Sequence, residues 1–320
     1  SLAPGIVGLA LSYAMTMPRR LMWISINMAN LETEFVAIER VAQYVRLAAE
    51  ADVVPFGGLA EQADVAGTGL AVREAWLRYG TSGPWVLQGL SFDLPRGSRA
   101  AFVGRTGCGK SSLLAAVVRL YPLECGRIFV QGRDVASTPL AALRRSVRVL
   151  LQDPVLFAGT IRSNLLCRPG TDAGPSGDDS LWAALRVVGL DDLIRDFGGL
   201  GASVEEAGGN LSQGQRQLLC LARALMEPPA DPAGREVGGG AAGPRLALCD
   251  EPTANCDLAT DATIHRVLLQ ELPQDWTVAV VCHRLHRLQS FDRVVVFESG
   301  RVSEIGPPAE LSSLPASLEG

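Results

Sequence analysis

The chain has no C-x-x-C pair, no Cys/His spacing suited to zinc and no run of lysine and arginine. Its seven cysteines are scattered, which excludes a zinc-finger reading. They are expected to be reduced thiols, packed as small apolar groups in a cytosolic domain. A net charge of −5 with no basic stripe excludes the electrostatic footprint of a nucleic-acid binder. No segment combines a basic start, a short apolar stretch and a small-residue cleavage site, so nothing in this sequence resembles a secretory leader. The first residue is Ser, as expected of a fragment or a processed chain. Internal repeats are also missing. What remains is a chain of 320 residues, 48% of them hydrophobic, with room for one large domain or two small ones and for a substantial core.

Residues 1–17 are apolar and almost uncharged, followed by Pro18, Arg19 and Arg20 and a second apolar patch over 21–28. The first stretch is shorter than the roughly 20 apolar residues a spanning helix needs. It is read as the C-terminal part of a transmembrane helix, residues 1–28, the alternative being a soluble core helix. The arginine pair marks either a cytoplasmic end or a watery path. From Met28 the apolar residues Leu31, Phe35, Ile38, Ala42 and Val45 recur at steps of three and four, with Glu32, Glu34, Glu39 and Arg40 off the stripe. That spacing predicts a helical extension into the cytoplasm over 29–48. Residues 49–69 lose periodicity and read as a linker. A Pro-, Gly- and Ala-rich stretch, 227–244, cannot bury enough apolar surface to offset ordering entropy and reads as a disordered insertion.

From Leu70 onward strand and helix signals alternate as in an α/β domain, expected over 70–315. Residues 100–103, 246–249 and 277–282 are short apolar strands, and 111–120 reads as a helix. Ligands in such sheets bind beyond the carboxyl ends of the strands, and the distinctive motifs fall there.

Gly104-Arg105-Thr106-Gly107-Cys108-Gly109-Lys110-Ser111 fits G-x-x-x-x-G-K-[ST] between a strand and a helix. Its glycines let backbone N–H groups wrap a phosphate, and the helix N-terminus adds partial positive charge. Lys110 would reach the β- and γ-phosphates of a nucleoside triphosphate, and the Ser111 hydroxyl would coordinate Mg²⁺. The apolar strand 246–249 ends in Asp250 and Glu251, the first to hold Mg²⁺ and the second to polarise an attacking water. Adjacent acids at a strand end can also be a solvated turn; the phosphate loop upstream favours the functional reading. Leu211-Ser212-Gln213-Gly214-Gln215 opens an apolar helix, with Ser212 as a good N-cap and Gly214 permitting close approach of a phosphate.

The chain resembles the ABC superfamily, specifically the second nucleotide-binding domain of C-subfamily transporters, the multidrug-resistance-associated type. The resemblance rests on VAIERVAQY (36–44), LRYG (77–80), GRTGCGKSSL (104–113), LLQDPVLFAGTIRSNL (150–165), GGNLSQGQRQLLCLARAL (208–225), CDEPTANCD (249–257), CHRL (282–285) and the C-terminal FESGRVSEIGPPAEL. It covers nearly everything but the 227–244 insertion. The implied fold is a P-loop NTPase of ABC type: a mixed sheet core, an antiparallel β subdomain and a helical signature subdomain, preceded by a partial transmembrane helix.

By motif, the resemblance gives Tyr79 as the aromatic on which adenine stacks, with Trp85 as the second candidate. It gives Gln152 as the glutamine that touches Mg²⁺ and the attacking water, and His283 as the histidine contacting the γ-phosphate. Asn255, Cys256 and Asp257 occupy the loop that crosses between paired domains. ATP is expected on residues Gly104 to Ser112, with Mg²⁺ on Ser111, Gln152 and Asp250 and chemistry by Glu251, His283, Gln152 and Lys110. Ser212, Gly214 and Gln215 are expected to serve nucleotide on a second nucleotide-binding domain. Pro252 replaces the subfamily's usual Ala, and Asn255 and Cys256 depart from its usual Ser and aliphatic residue. Both Lys110 and Glu251 are present, as in a hydrolytically competent half. Implied partners are that second domain, transmembrane domains, membrane lipid and a transported small molecule, of the class of amphipathic organic anions or conjugates, with no nucleic acid. The implied protein is integral to a membrane with its ATPase domain cytoplasmic. The rival readings are a regulatory relative that gates a channel, a soluble ABC-type ATPase acting on DNA or ribosomes, and a non-functional gene fragment.

Overall fold

The computed structural model describes residues 4–47, 50, 65, 67–80, 82–167, 178–226, 245–254, 256–282 and 285–311. The expected insertion at 227–244, His283, Asn255 and nearly all of the expected linker therefore lie outside the described residues. The chain divides into two units, 1–51 and 52–320.

The first unit is one helix, α1 (Pro4–Val45), running without interruption past Pro18 and through the position where a membrane part and a cytoplasmic extension were expected to meet. Its apolar side chains, among them Leu9, Leu11, Met15, Trp23 and Phe35, are exposed. No helix among the described residues is long and apolar enough to cross a membrane.

The second unit opens with the strands β1 (Thr68–Arg78), β2 (Trp85–Pro95) and β3 (Arg99–Val103), then α2 (Lys110–Val117), β4 (Cys125–Val130) and β5 (Arg133–Asp134). The linker expectation overran by two residues, since β1 begins at Thr68. Next come α3 (Leu140–Ser146), β6 (Val147–Leu150), β7 (Gly159–Thr160), α4 (Ile161–Leu166), α5 (Asp178–Val187), α6 (Asp191–Asp196) and β8 (Ser203–Val204). The rest is α7 (Gln213–Leu225), β9 (Leu246–Asp250), α8 (Leu258–Arg266), β10 (Thr277–Val281), a 3₁₀ turn at Leu285–Ser290, β11 (Arg293–Glu298) and β12 (Arg301–Gly306).

Among the described residues the central sheet has six strands in the order β12-β11-β3-β10-β9-β6. β11, β3, β10, β9 and β6 run parallel, and only β12 is antiparallel, so the sheet is mixed. Alternate residues of each strand serve opposite faces. Ala101, Val103, Cys249, Val278 and Val280 pack under α4, α5, α7 and α8, whereas Ala100, Phe102, Leu248, Ala279 and Val281 pack against α2 and a separate antiparallel sheet, β2-β1-β4-β5. Both faces are covered, which is why β3 and β10 are buried at every position and apolar after their first residues, Arg99 and Thr277.

The helix expected over 111–120 stops at Val117. Leu120 N–H bonds Ala115 O at 2.9 Å and Arg119 N–H bonds Ala116 O at 3.0 Å, a left-handed closure with Arg119 at φ 53°. Arg119 holds that conformation, uncommon outside glycine, while its guanidinium donates to Val135 O at 3.0 Å and Thr138 O at 2.8 Å.

Candidate functional site

The parallel strands aim their C-terminal ends at one edge of the sheet, and the loop before Lys110, Gln152, Asp250 and Glu251 follow those ends. Loop 104–109 follows β3, Asp250 ends β9 and Gln152 lies two residues past β6. The topology thus brings together residues that are far apart in sequence.

In the loop, Lys110 is 5% exposed, and its ammonium donates to Gly104 O at 2.7 Å, Arg105 O at 3.0 Å and Cys108 Sγ at 3.6 Å. Among the 29 lysine and arginine residues of the chain, Lys110 alone is lysine. A compact ammonium suits this nest of carbonyls, which a planar guanidinium does not. Gly109 caps α2 at φ 103°, and a Cβ there would sit 2.8 Å from Leu87 Cδ2 and 2.9 Å from Val86 O. The loop is therefore braced on β2. Its other side is open: Arg105, Thr106 and Gly107 are exposed. The first-turn N–H groups of α2, which have no partner within the helix, border this concavity with Ser111 and Ser112. A buried cation under an open ring of N–H donors fits a polyphosphate.

Asp250 is half-buried at the end of β9, and Ser111 and Gln152 are exposed. Hydroxyl, amide and carboxylate oxygens form a hard donor set suited to Mg²⁺. No group of three or more His, Cys, Asp or Glu able to hold a metal occurs among the described residues. Magnesium here would share its coordination with nucleotide phosphate. Glu251 has φ 47°, a left-handed conformation uncommon outside glycine, and turns the chain sharply off the strand. With Pro252, Thr253, Ala254, His265 and Cys282 it lines a cavity of about 270 Å³. Burial, and then the charge of Asp261, push the Cys282 thiol up to about 12. Burial likewise pushes Cys249 up. Both thiols are therefore protonated at neutral pH and packed as apolar groups.

Tyr79 is 44% exposed, donates its hydroxyl to Ser112 Oγ at 2.8 Å and meets Tyr121 edge-on at 4.8 Å. It is tied to the phosphate loop while leaving ring surface open. Trp85, the second candidate, has Arg78 stacked over it at 4.7 Å and Trp76 edge-on at 5.3 Å. Arg78 is fixed there by two bonds to Glu124, at 2.6 and 3.0 Å. One face of Trp85 is thus already occupied.

Ser212 caps α7: its Oγ accepts from Gln215 N–H at 3.2 Å, and Gln215 Oε1 accepts from Ser212 N–H at 2.8 Å. Gly214 has a reason within the chain as well as the expected one, because a Cβ there would lie 3.0 Å from Thr260 Oγ1. It lets α7 approach α8 closely. Ser212→Ala is expected to lower unfolding stability by about 1 kcal/mol, read as a shift in denaturant midpoint at constant slope. Asp257 caps α8, accepting from Ala259 N–H at 3.0 Å, Thr260 N–H at 3.1 Å and Thr260 Oγ1 at 2.7 Å. The hydroxyl of Thr260, followed by its backbone N–H, holds the Asp257 carboxyl below the usual range.

Sequence reading missed four residues near this edge. Gln217 is buried on α7 and donates to Leu151 O at 3.2 Å, bracing the segment that carries Gln152. A polar residue amid the apolar stripe of α7 was the available signal. Buried Asp261 and His265 form a cluster with half-buried Arg287, described below; the acid and histidine four apart on α8 were visible, but Arg287 was not.

A family profile described as ABC transporter matches residues 87–230. ABC transporter C family member 3 of Dictyostelium discoideum is 33% identical over 324 residues, 98% of this chain and 21% of the relative. ATP-binding cassette sub-family C member 2 of Homo sapiens is 34% identical over 310 residues, 97% of this chain and 19% of the relative. The chain thus spans about a fifth of the length of these relatives. A solved bacterial Atm1-family ABC exporter with ATP bound is similar in fold, with a TM-score of 0.68 and 25% identity over 96% of this chain and 50% of that one.

Proposed function

Because this chain belongs to the ABC transporter family, we propose that it is a C-subfamily nucleotide-binding domain that binds and hydrolyses Mg²⁺-ATP to drive export of a solute. The observation that carries the reading is Lys110, buried in the carbonyl nest of a phosphate-shaped loop at the sheet edge where Asp250 and Gln152 also emerge. Residues Gly104 to Ser112 bind the phosphates, and Tyr79 stacks on adenine. Ser111, Gln152 and Asp250 hold Mg²⁺, which supplies neutralisation of phosphate charge. Glu251 accepts the proton of the attacking water, and His283 contacts the γ-phosphate.

The site is completed by a second nucleotide-binding domain, and Ser212, Gly214 and Gln215 serve that partner's nucleotide. Their capping box supports this: backbone donors at the start of α7 remain for an anion approaching from outside. ATP joins the two domains and hydrolysis releases them, which rocks transmembrane domains between two states. Residues 1–28 are the end of a membrane helix, 29–48 its cytoplasmic extension and 70–315 the ATPase domain, in an integral membrane protein with this domain cytoplasmic. The exposed apolar length of α1, with Pro18 in its interior, supports that placement, since membrane helices tolerate proline. Amphipathic organic anions or conjugates are the proposed cargo class.

The single lysine permits a direct test. An acyl phosphate of ATP transfers its acyl group to an amine beside the phosphates: an amide forms at Nζ, the mixed anhydride opens, and ATP and a proton leave. Peptide mapping is expected to find acylated Lys110, suppressed by excess Mg²⁺-ATP. Absence of the adduct, or an adduct that ATP does not suppress, would remove the ATP reading.

A further inference from the structure

We propose that Asp261 is a positioning residue for hydrolysis: buried itself, it forms with half-buried Arg287 and buried His265 a clamp that fixes the cavity wall around Glu251. This rests on the reading of Glu251 as the general base. Asp261 is fully buried, on α8. Arg287 Nη2, from the turn after β10, reaches Asp261 Oδ2 at 2.7 Å, and His265 Nε2 stands 3.7 Å from Oδ1. The imidazole meets Phe291 edge-on at 6.2 Å and lines the same cavity as Glu251. Asp261 also lies near enough to Cys282, in that wall, for its charge to act on the thiol.

The clamp joins two segments that matter to the chemistry. α8 is the first helix after the turn containing Glu251, and the Leu285–Ser290 turn is where the chain goes on leaving β10. One carboxylate therefore sets the distance between the exits of two adjacent strands. Stability alone gives little reason for such a group. A buried ion pair is often no more stabilising than apolar side chains of similar volume, whereas stranding one charge is costly. What an ion pair adds over an apolar pair is direction, and reacting groups need direction because small misplacements cost large factors in rate.

The test uses the protein assembled with its second nucleotide-binding domain and membrane domains. The double variant Asp261→Leu with Arg287→Leu removes both members of the pair, and Arg287→Lys keeps the charge. The double variant is expected to keep wild-type ATP affinity while kcat falls roughly 10- to 100-fold, and Arg287→Lys to keep most of the wild-type kcat. A double variant with wild-type kcat would overturn the proposal. So would parallel falls in kcat, ATP affinity and melting temperature, which would mark a role in folding only. Wild-type protein that binds ATP without hydrolysing it would remove the premise about Glu251, and the same assay reports it separately.

Discussion

Glu251→Gln is expected to lower ATP turnover by roughly 10²- to 10⁴-fold while ATP binding is unchanged. The substitution keeps shape and hydrogen-bonding reach but removes the capacity to accept a proton. The proposed phosphate-binding residues lie elsewhere, in loop 104–109 and the start of α2, which the substitution does not touch. Glu251 sits one residue past the end of β9, in a left-handed conformation at φ 47° that most residues adopt only at a cost. That turn is braced by Ala254 N–H on Glu251 O at 3.1 Å, so the side chain's place on the cavity wall is set by the backbone. Steady-state hydrolysis and nucleotide binding, both measured on the assembled protein, separate the two effects. If the Gln variant turned over at more than a tenth of the wild-type rate, the base would have to be sought elsewhere.

The same turn shows what a sequence can and cannot reveal about this site. Strand ends were legible because parallel strands covered on both faces must be short apolar runs, and 100–103 and 246–249 are such runs. The loop between β3 and α2 was legible because glycines at fixed spacing before a lysine mark a tight strand-to-helix turn. Less legible was anything decided by a neighbour in space. The end of α2 at Val117 depends on carbonyls of Val135 and Thr138 that receive Arg119. Gly214 reads as room for a phosphate, yet the nearest atom to its missing Cβ belongs to Thr260. Trp85 looked available to a base until Arg78, anchored by Glu124, was seen to cover it. Arg287 carries no local signal at all, since its partner Asp261 is 26 positions away by subtraction of their numbers and joined to it only through the sheet. Local pattern reports backbone requirements well and pairings between distant side chains poorly.

Lys110→Arg, a charge-conserving change in a chain otherwise rich in arginine, is expected to weaken ATP binding about 100-fold, or about 2.8 kcal/mol at about 1.4 kcal/mol per tenfold. The reason is shape. The ammonium sits in a nest 5% exposed to solvent, with two carbonyls at 2.7 and 3.0 Å as its oxygen acceptors. A guanidinium is larger and planar, presents five donors in a fixed fork, and would leave several of them without acceptors at this depth. Nor can the loop widen to receive it. A Cβ at Gly104 would already stand 2.4 Å from Phe297 O, and Gly109 is held against Val86 O, so the backbone is fixed at both ends of the loop. Overpacking such a site forces the arginine out of its nest and into the phosphate position, or shifts the loop itself, at a typical cost of about 1–3 kcal/mol. Titration of Mg²⁺-ATP onto the two proteins measures the effect, with the exposed Arg186→Lys as a control for surface exchange of the same two residue types. Equal affinity of wild type and Lys110→Arg would mean that charge alone is recognised, and that the carbonyl nest around Nζ plays no part in holding the phosphate-binding cation.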